Sequence, residues 1–126
     1  FIATDLEIGD ASVLTMPLCK QLTSLRCLVL KGKETSLMVS LTKEQERALL
    51  LLTSLQWLHF GCYPNLQLLP ADLRSLVSLE VLRIWSCPSI TGWLPEMDTS
   101  CRLVVEDSSE ELSWRCKEWE VRRREI

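Results

Sequence analysis

One histidine, no Cys-x-x-Cys pair and four scattered glycines set the first limits on this chain of 126 residues. A zinc ribbon or finger needs ligands paired at short spacing, and cysteines 19, 27, 62, 87, 101 and 116 supply no such pair. A phosphate-cradling G-x-x-x-x-G-K-S/T loop is missing, because Gly9, Gly32, Gly61 and Gly92 stand far apart. Catalysis usually rests on a histidine or on convergent carboxylates, and a lone His59 points to no enzyme. No cofactor and no metal are expected. No run approaches the roughly 18 apolar residues that a membrane span needs. The opening Phe-Ile-Ala-Thr-Asp-Leu-Glu-Ile is not a basic region followed by an apolar run, so no secretory signal is read there. The cysteines are therefore expected to be reduced and mostly buried, in a cytoplasmic setting. A net charge of −3 argues against a nucleic-acid partner, which would need many phosphates neutralised.

What the chain has in quantity is leucine, placed periodically. Leu52-Thr-Ser-Leu-Gln-Trp-Leu-His-Phe returns 24 residues later as Leu76-Val-Ser-Leu-Glu-Val-Leu-Arg-Ile. A period of that size carrying L-x-x-L-x-L is the mark of a leucine-rich repeat. The L-x-L step alternates with period two, so its leucines face inward from a short strand. One such unit cannot bury its apolar face alone, and stacked neighbours supply the rest of the core. The fold class expected is α/β: a solenoid of about five repeats, with short parallel strands on the concave face and helices and loops on the convex face.

The remaining copies are read against that central pair. Leu6 and Ile8 match Leu28 and Leu30 at a shift of 22, so the chain opens inside a strand with no polar capping element before it. That predicts a piece of something longer. Pro17–Gln21 predicts a helical turn with proline near its first position. The second copy starts at Leu22, and an insert separates it from the third. Thr42-Lys-Glu-Gln45 in that insert is a capping box, predicting a helix over 43–53 with Ala48, Leu49 and Leu52 as its apolar face. Pro70–Leu76 predicts one or two further helical turns. Tyr63 occupies the position of Cys87, and Leu66 and Ile90 return to phase. The fifth copy is degraded: Leu103, Val104 and Val105 predict a strand, but Cys101 stands one residue out of phase for its leucine. Ser108-Ser-Glu-Glu111 is a second capping box, and Leu112, Cys116 and Trp119 follow at helical spacing. The domain plan is repeats over 1–107, with the helical insert at about 42–53, and a capping helix over 108–126.

The candidate binding residues lie between the buried leucines. Arg26, Val29, Gln56, Trp57, His59, Glu80, Arg83 and Trp85 are expected to stand outward in columns about 4.8 Å apart. Tryptophan and arginine are enriched among binding hot spots, so Trp57, Arg83 and Trp85 are the favoured anchors. Cys62 and Cys87 are expected beneath the turns that follow the strands, in contact with backbone groups. The arginines at 122–124 suit a solvated helix C-terminus.

Several stretches carry a more specific resemblance. Leu41-Thr-Lys-Glu-Gln-Glu-Arg-Ala-Leu running into Leu52-Thr-Ser-Leu-Gln is similar to plant coiled-coil nucleotide-binding leucine-rich-repeat disease-resistance proteins, of the cereal type. So are Asn65-Leu-Gln-Leu-Leu-Pro-Ala-Asp-Leu, Ser75-Leu-Val-Ser-Leu-Glu-Val-Leu-Arg-Ile and Cys87-Pro-Ser-Ile. Ser108-Ser-Glu-Glu-Leu with Cys116 resembles the end of their repeat domain. The resemblance implies a recognition module in plant defence, sensing a pathogen effector or a guarded host protein. It also implies a restraining contact with the parent receptor's nucleotide-binding domain. The alternative is an autoinhibitory scaffold with no foreign ligand. The family's coiled-coil and nucleotide-binding regions have no counterpart in these residues, and Cys101 and the shifted Cys62 depart from its pattern.

Overall fold

A computed structural model of the chain describes residues 4–17, 22–91 and 94–124. It is an α/β structure built on one five-stranded, all-parallel sheet in the order β1-β2-β3-β4-β5. The strands are β1 (Asp5–Ile8), β2 (Cys27–Lys31), β3 (Trp57–Gly61), β4 (Val81–Trp85) and β5 (Arg102–Glu106). Each lies beside its sequence neighbour and runs parallel to it, so the chain must come back to the same end of the sheet before each new strand. The pairing follows the leucine alternation: Leu6, Leu28, Leu58, Leu82 and Leu103 form one column, and Ile8, Leu30, Phe60, Ile84 and Val105 another. Leu28, Leu30, Leu58, Phe60, Leu82 and Ile84 are fully buried, and one core cluster runs from Ile8 to Trp119.

A turn sets the start of each of the last four strands. Leu25, Leu55 and Leu79 donate their amides to the carbonyls of Leu22, Leu52 and Leu76, and Cys101 does the same to Asp98. Asp98-Thr-Ser-Cys101 is therefore the fourth member of the Leu-Thr-Ser-Leu series, followed by its strand one residue sooner. Cys101, buried at the place of the expected leucine, is brought into register by that deletion. Burial pushes its thiol up to about 11.

In the long connection after β2, the expected capping box forms. The Thr42 hydroxyl accepts from the Gln45 amide at 3.1 Å, and the Gln45 side chain accepts from the Thr42 amide at 2.9 Å. They open helix α1 (Lys43–Leu50), shorter than expected, with Ala48 and Leu49 buried. Leu51 caps its C-terminus, and Leu52 already belongs to the next turn.

The helical turns expected over Pro70–Leu76 are replaced by extended chain and tight turns. Asp72 Oδ1 accepts from the Arg74 amide at 2.9 Å, closing an Asx turn that competes with a helix. The Leu73 amide goes to the Glu96 carbonyl, and the Glu96 amide to that of Ala71, so the backbone bonds run between copies. Of the turn expected over Pro17–Gln21, residues 18–21 lie outside the described ones. A 3-10 turn at Ala11–Thr15, capped by Asp10, precedes it.

The chain's second α-helix, α2 (Glu110–Arg124), lies against the outer edge of β5. Its N-cap is Ser109 rather than Ser108. The Ser109 hydroxyl accepts from the Leu112 amide at 3.1 Å and donates to the Ile90 carbonyl at 2.6 Å. Leucine at N3 has no side-chain acceptor to complete a box. Ser108 faces the other way, accepting from the Cys87 amide at 3.3 Å and donating to the Glu106 carbonyl. Ser109→Ala should therefore lower stability by about 1–2 kcal/mol, the ordinary cost of a lost cap. Ser108→Ala should cost clearly less in the same urea titration; equal effects would contradict the assignment.

Candidate protein-binding face

The side chains between the inward leucines emerge on one face of the sheet, in columns set by register. One column reads Asp5, Cys27, Trp57, Val81, Arg102, the next Glu7, Val29, His59, Arg83, Val104, and the last Lys31, Gly61, Trp85, Glu106. Arg26, Gln56 and Glu80 stand just before their strands. They are aligned by carbonyls that each accept from the next copy; those of Arg26 and Gln56 accept two amides apiece. Trp57 is the most open aromatic of this face at 37% exposure. Val29, Gln56, His59, Arg83 and Trp85 are half-buried, while Arg26 and Glu80 are exposed.

The structure brings four of these side chains into one cluster. A Cβ built on Gly61 would fall 2.1 Å from Cε2 and Cζ2 of Trp85, so the indole lies directly over that glycine rather than projecting outward. His59 meets the indole edge-on, with ring centroids 6.3 Å apart. The Arg83 guanidinium carbon is 5.1 Å from the indole centroid, a cation–π distance. Arg83 Nε also donates to Glu106 Oε1 at 2.9 Å. That pair is largely exposed and contributes only about 0–1 kcal/mol, so it orients the guanidinium more than it stabilises the fold. Burial first, and the nearby Arg83 charge second, hold the His59 pKa below its usual value. At neutral pH the imidazole is therefore uncharged, and Trp57, His59 and Trp85 make an aromatic strip along β3.

Register also adds residues that the leucine pattern left out. Arg102, Val104 and Glu106 join the face from β5, and Gly61 makes the space that Trp85 fills. Their signal was present in Asp98-Thr-Ser-Cys101, which repeats the pre-strand turn and sets the β5 register once its deletion is allowed.

The turns at the strand ends sort the cysteines. Cys62, Ser86 and Asp107 occupy one column and carry φ of 60°, 51° and 46°. Cys62 is thus the left-handed residue of its turn and half-exposed, not tucked beneath it as expected. Tyr63 and Cys87 take the buried place one residue on. The Cys87 thiol donates to the Trp85 carbonyl at 3.3 Å, and burial raises its pKa. The five described cysteines are free; Cys87 and Cys101 are buried and the others half-buried, while Cys19 lies outside the described residues. Among the described residues no cluster of His, Cys, Asp and Glu could hold a metal ion, and no helix is long and apolar enough to cross a membrane.

Arg123, expected at a solvated helix end, is instead half-buried and donates from Nε to the Thr99 carbonyl at 2.9 Å. In comparisons with known proteins, no family model, no curated protein and no solved structure matches this chain.

Proposed function

We propose that this chain is a leucine-rich-repeat segment of a plant immune receptor, and that its strand face recognises another protein. The observation that carries the recognition reading is the strip of Trp57, His59 and Trp85, with Arg83 ordered across it. Rigid aromatics and a pre-oriented arginine bind with little loss of side-chain freedom, the property of a hot spot. The sequential parallel strands support the solenoid reading, because each copy pairs only with its neighbours in the chain. The occupant is a pathogen effector or a guarded host protein, in keeping with the resemblance of Leu41–Leu49 and Asn65–Ile84 to that receptor class.

Trp57→Ala and Arg83→Glu, introduced together into the receptor carrying this segment, test the reading through leaf cell death. Loss of the pathogen-triggered response without spontaneous death supports recognition. Spontaneous death would instead assign the face to restraint of the nucleotide-binding domain, and an unchanged response would remove the face from both roles.

A further inference from the structure

The strand face carries a charge pattern that is complementary to itself. Its first strand presents Asp5 and Glu7, its last presents Arg102, and between them Arg26 precedes β2 while Glu80 precedes β4. Asp5, Arg26, Glu80 and Arg102 are all exposed, and none forms an ion pair among the described residues.

A closed two-subunit contact places one patch on its own copy about a two-fold axis. Two such axes in the plane between facing sheets keep the strands of the two copies aligned, one across the strands and one along them. An axis running across the strands through their central row would set Glu7 on Glu7 and Arg83 on Arg83, which like-charge repulsion opposes. The axis along β3 sets β1 on β5 and β2 on β4. A pure two-fold allows no slide along its axis, so positions along the strands are fixed. Asp5 then faces Arg102, Arg26 faces Glu80, and Trp57 meets its own copy at the centre. Each ion pair occurs twice, and no like charges face one another. Packed sheets ordinarily cross at about 30°, which displaces the outer pair by roughly 5 Å, within the reach of an arginine.

From this we infer that the strand face docks a second copy of this chain, in a symmetric dimer with its axis along β3. The inference goes beyond the recognition reading and does not need it, although a foreign protein and a second copy would compete for one face. Five strands give a patch about 19 Å wide and 17 Å long, roughly half the area of the smallest ordinary specific interfaces. The dimer should accordingly be weak, with a dissociation constant on the order of 100 µM.

Sedimentation equilibrium of the 126-residue chain, from about 10 µM to 1 mM, reads this directly. Wild type should dimerise in that range. Arg26→Glu alone places Glu on Glu at both pairs, and Glu80→Arg alone places Arg on Arg, so each should weaken association by at least about tenfold. Mixing the two variants in equal amounts restores opposite charges at both pairs, and a heterodimer of wild-type strength should form. Both positions lie outside the strands, and circular dichroism would verify that the variants fold. A chain monomeric throughout, single variants that associate like wild type, or a mixture that stays monomeric would each overturn the inference.

Discussion

Gly32→Ala should destabilise the chain by about 3 kcal/mol, at the upper end of what overpacking a closed core costs. A methyl group at Gly32 would fall 2.4 and 2.5 Å from two ring carbons of Tyr63, and 2.8 Å from the Cys62 carbonyl. Tyr63 is 1% exposed, so its ring cannot shift without disturbing the side chains packed on it. Burial pushes its phenol up to about 12, with smaller contributions from Cys87 and Asp10. Its hydroxyl donates to the Gly9 carbonyl at 3.4 Å. The next copy contains the control. There the column runs from Gly32 to Cys62, and the buried residue beneath changes from Tyr63 to Cys87. Glycine sits over tyrosine in one copy, and in the next a residue with a side chain accompanies the smaller Cys87. Gly32→Ala combined with Tyr63→Cys should accordingly cost less than the two single changes added together. Urea unfolding of the four proteins closes that cycle. A strictly additive double variant would mean that the ring and the glycine do not share one space.

How far such pairings could be read beforehand depended on whether two distant positions had to be aligned. The inward columns needed only the leucine alternation, and Leu58 and Leu82 pair as their 24-residue shift requires. The orientation of Trp85 required noticing that the same shift sets it beside Gly61. A tryptophan next to a residue without a side chain lies down, and the aromatic cluster with His59 and Arg83 follows from that. The Pro70–Leu76 stretch misled because its leucine spacing suits a helix equally well. What decided it was Asp72, whose side chain took the Arg74 amide, and Glu96, whose backbone took that of Leu73. By sequence alone Ser108 was the favoured cap, because Glu111 then falls at N3 to complete a box. Only the packing of Ser109 against the Ile90 carbonyl reverses that choice.

The second large effect is expected at the other end of the sheet, where β5 would otherwise offer an unpaired edge. Unpaired strand edges invite mispairing and are usually covered or broken. Here α2 covers the edge with three side chains at helical spacing. Trp119 Nε1 donates to the Cys101 carbonyl at 2.9 Å, the Cys116 thiol donates to the Leu103 carbonyl at 3.4 Å, and Arg123 reaches Thr99. In the register, Cys101 corresponds to Gln56, whose carbonyl accepts amides from the following copy. The indole N–H thus replaces a strand. Trp119→Ala removes a side chain only 7% exposed and should cost about 3–5 kcal/mol, as large core truncations do. Trp119→Phe keeps most of the bulk but deletes the donor, and should cost about 1–3 kcal/mol for the orphaned carbonyl. Location matters as much as size in this test. Since each strand contacts only its neighbours, the loss should appear in hydrogen exchange as deprotection of β5 and α2 first, then β4, with β2 and β3 protected longest. Uniform deprotection of all five strands in Trp119→Phe would mean that the sheet unfolds as one unit, and that α2 is part of its core rather than a cover for its edge.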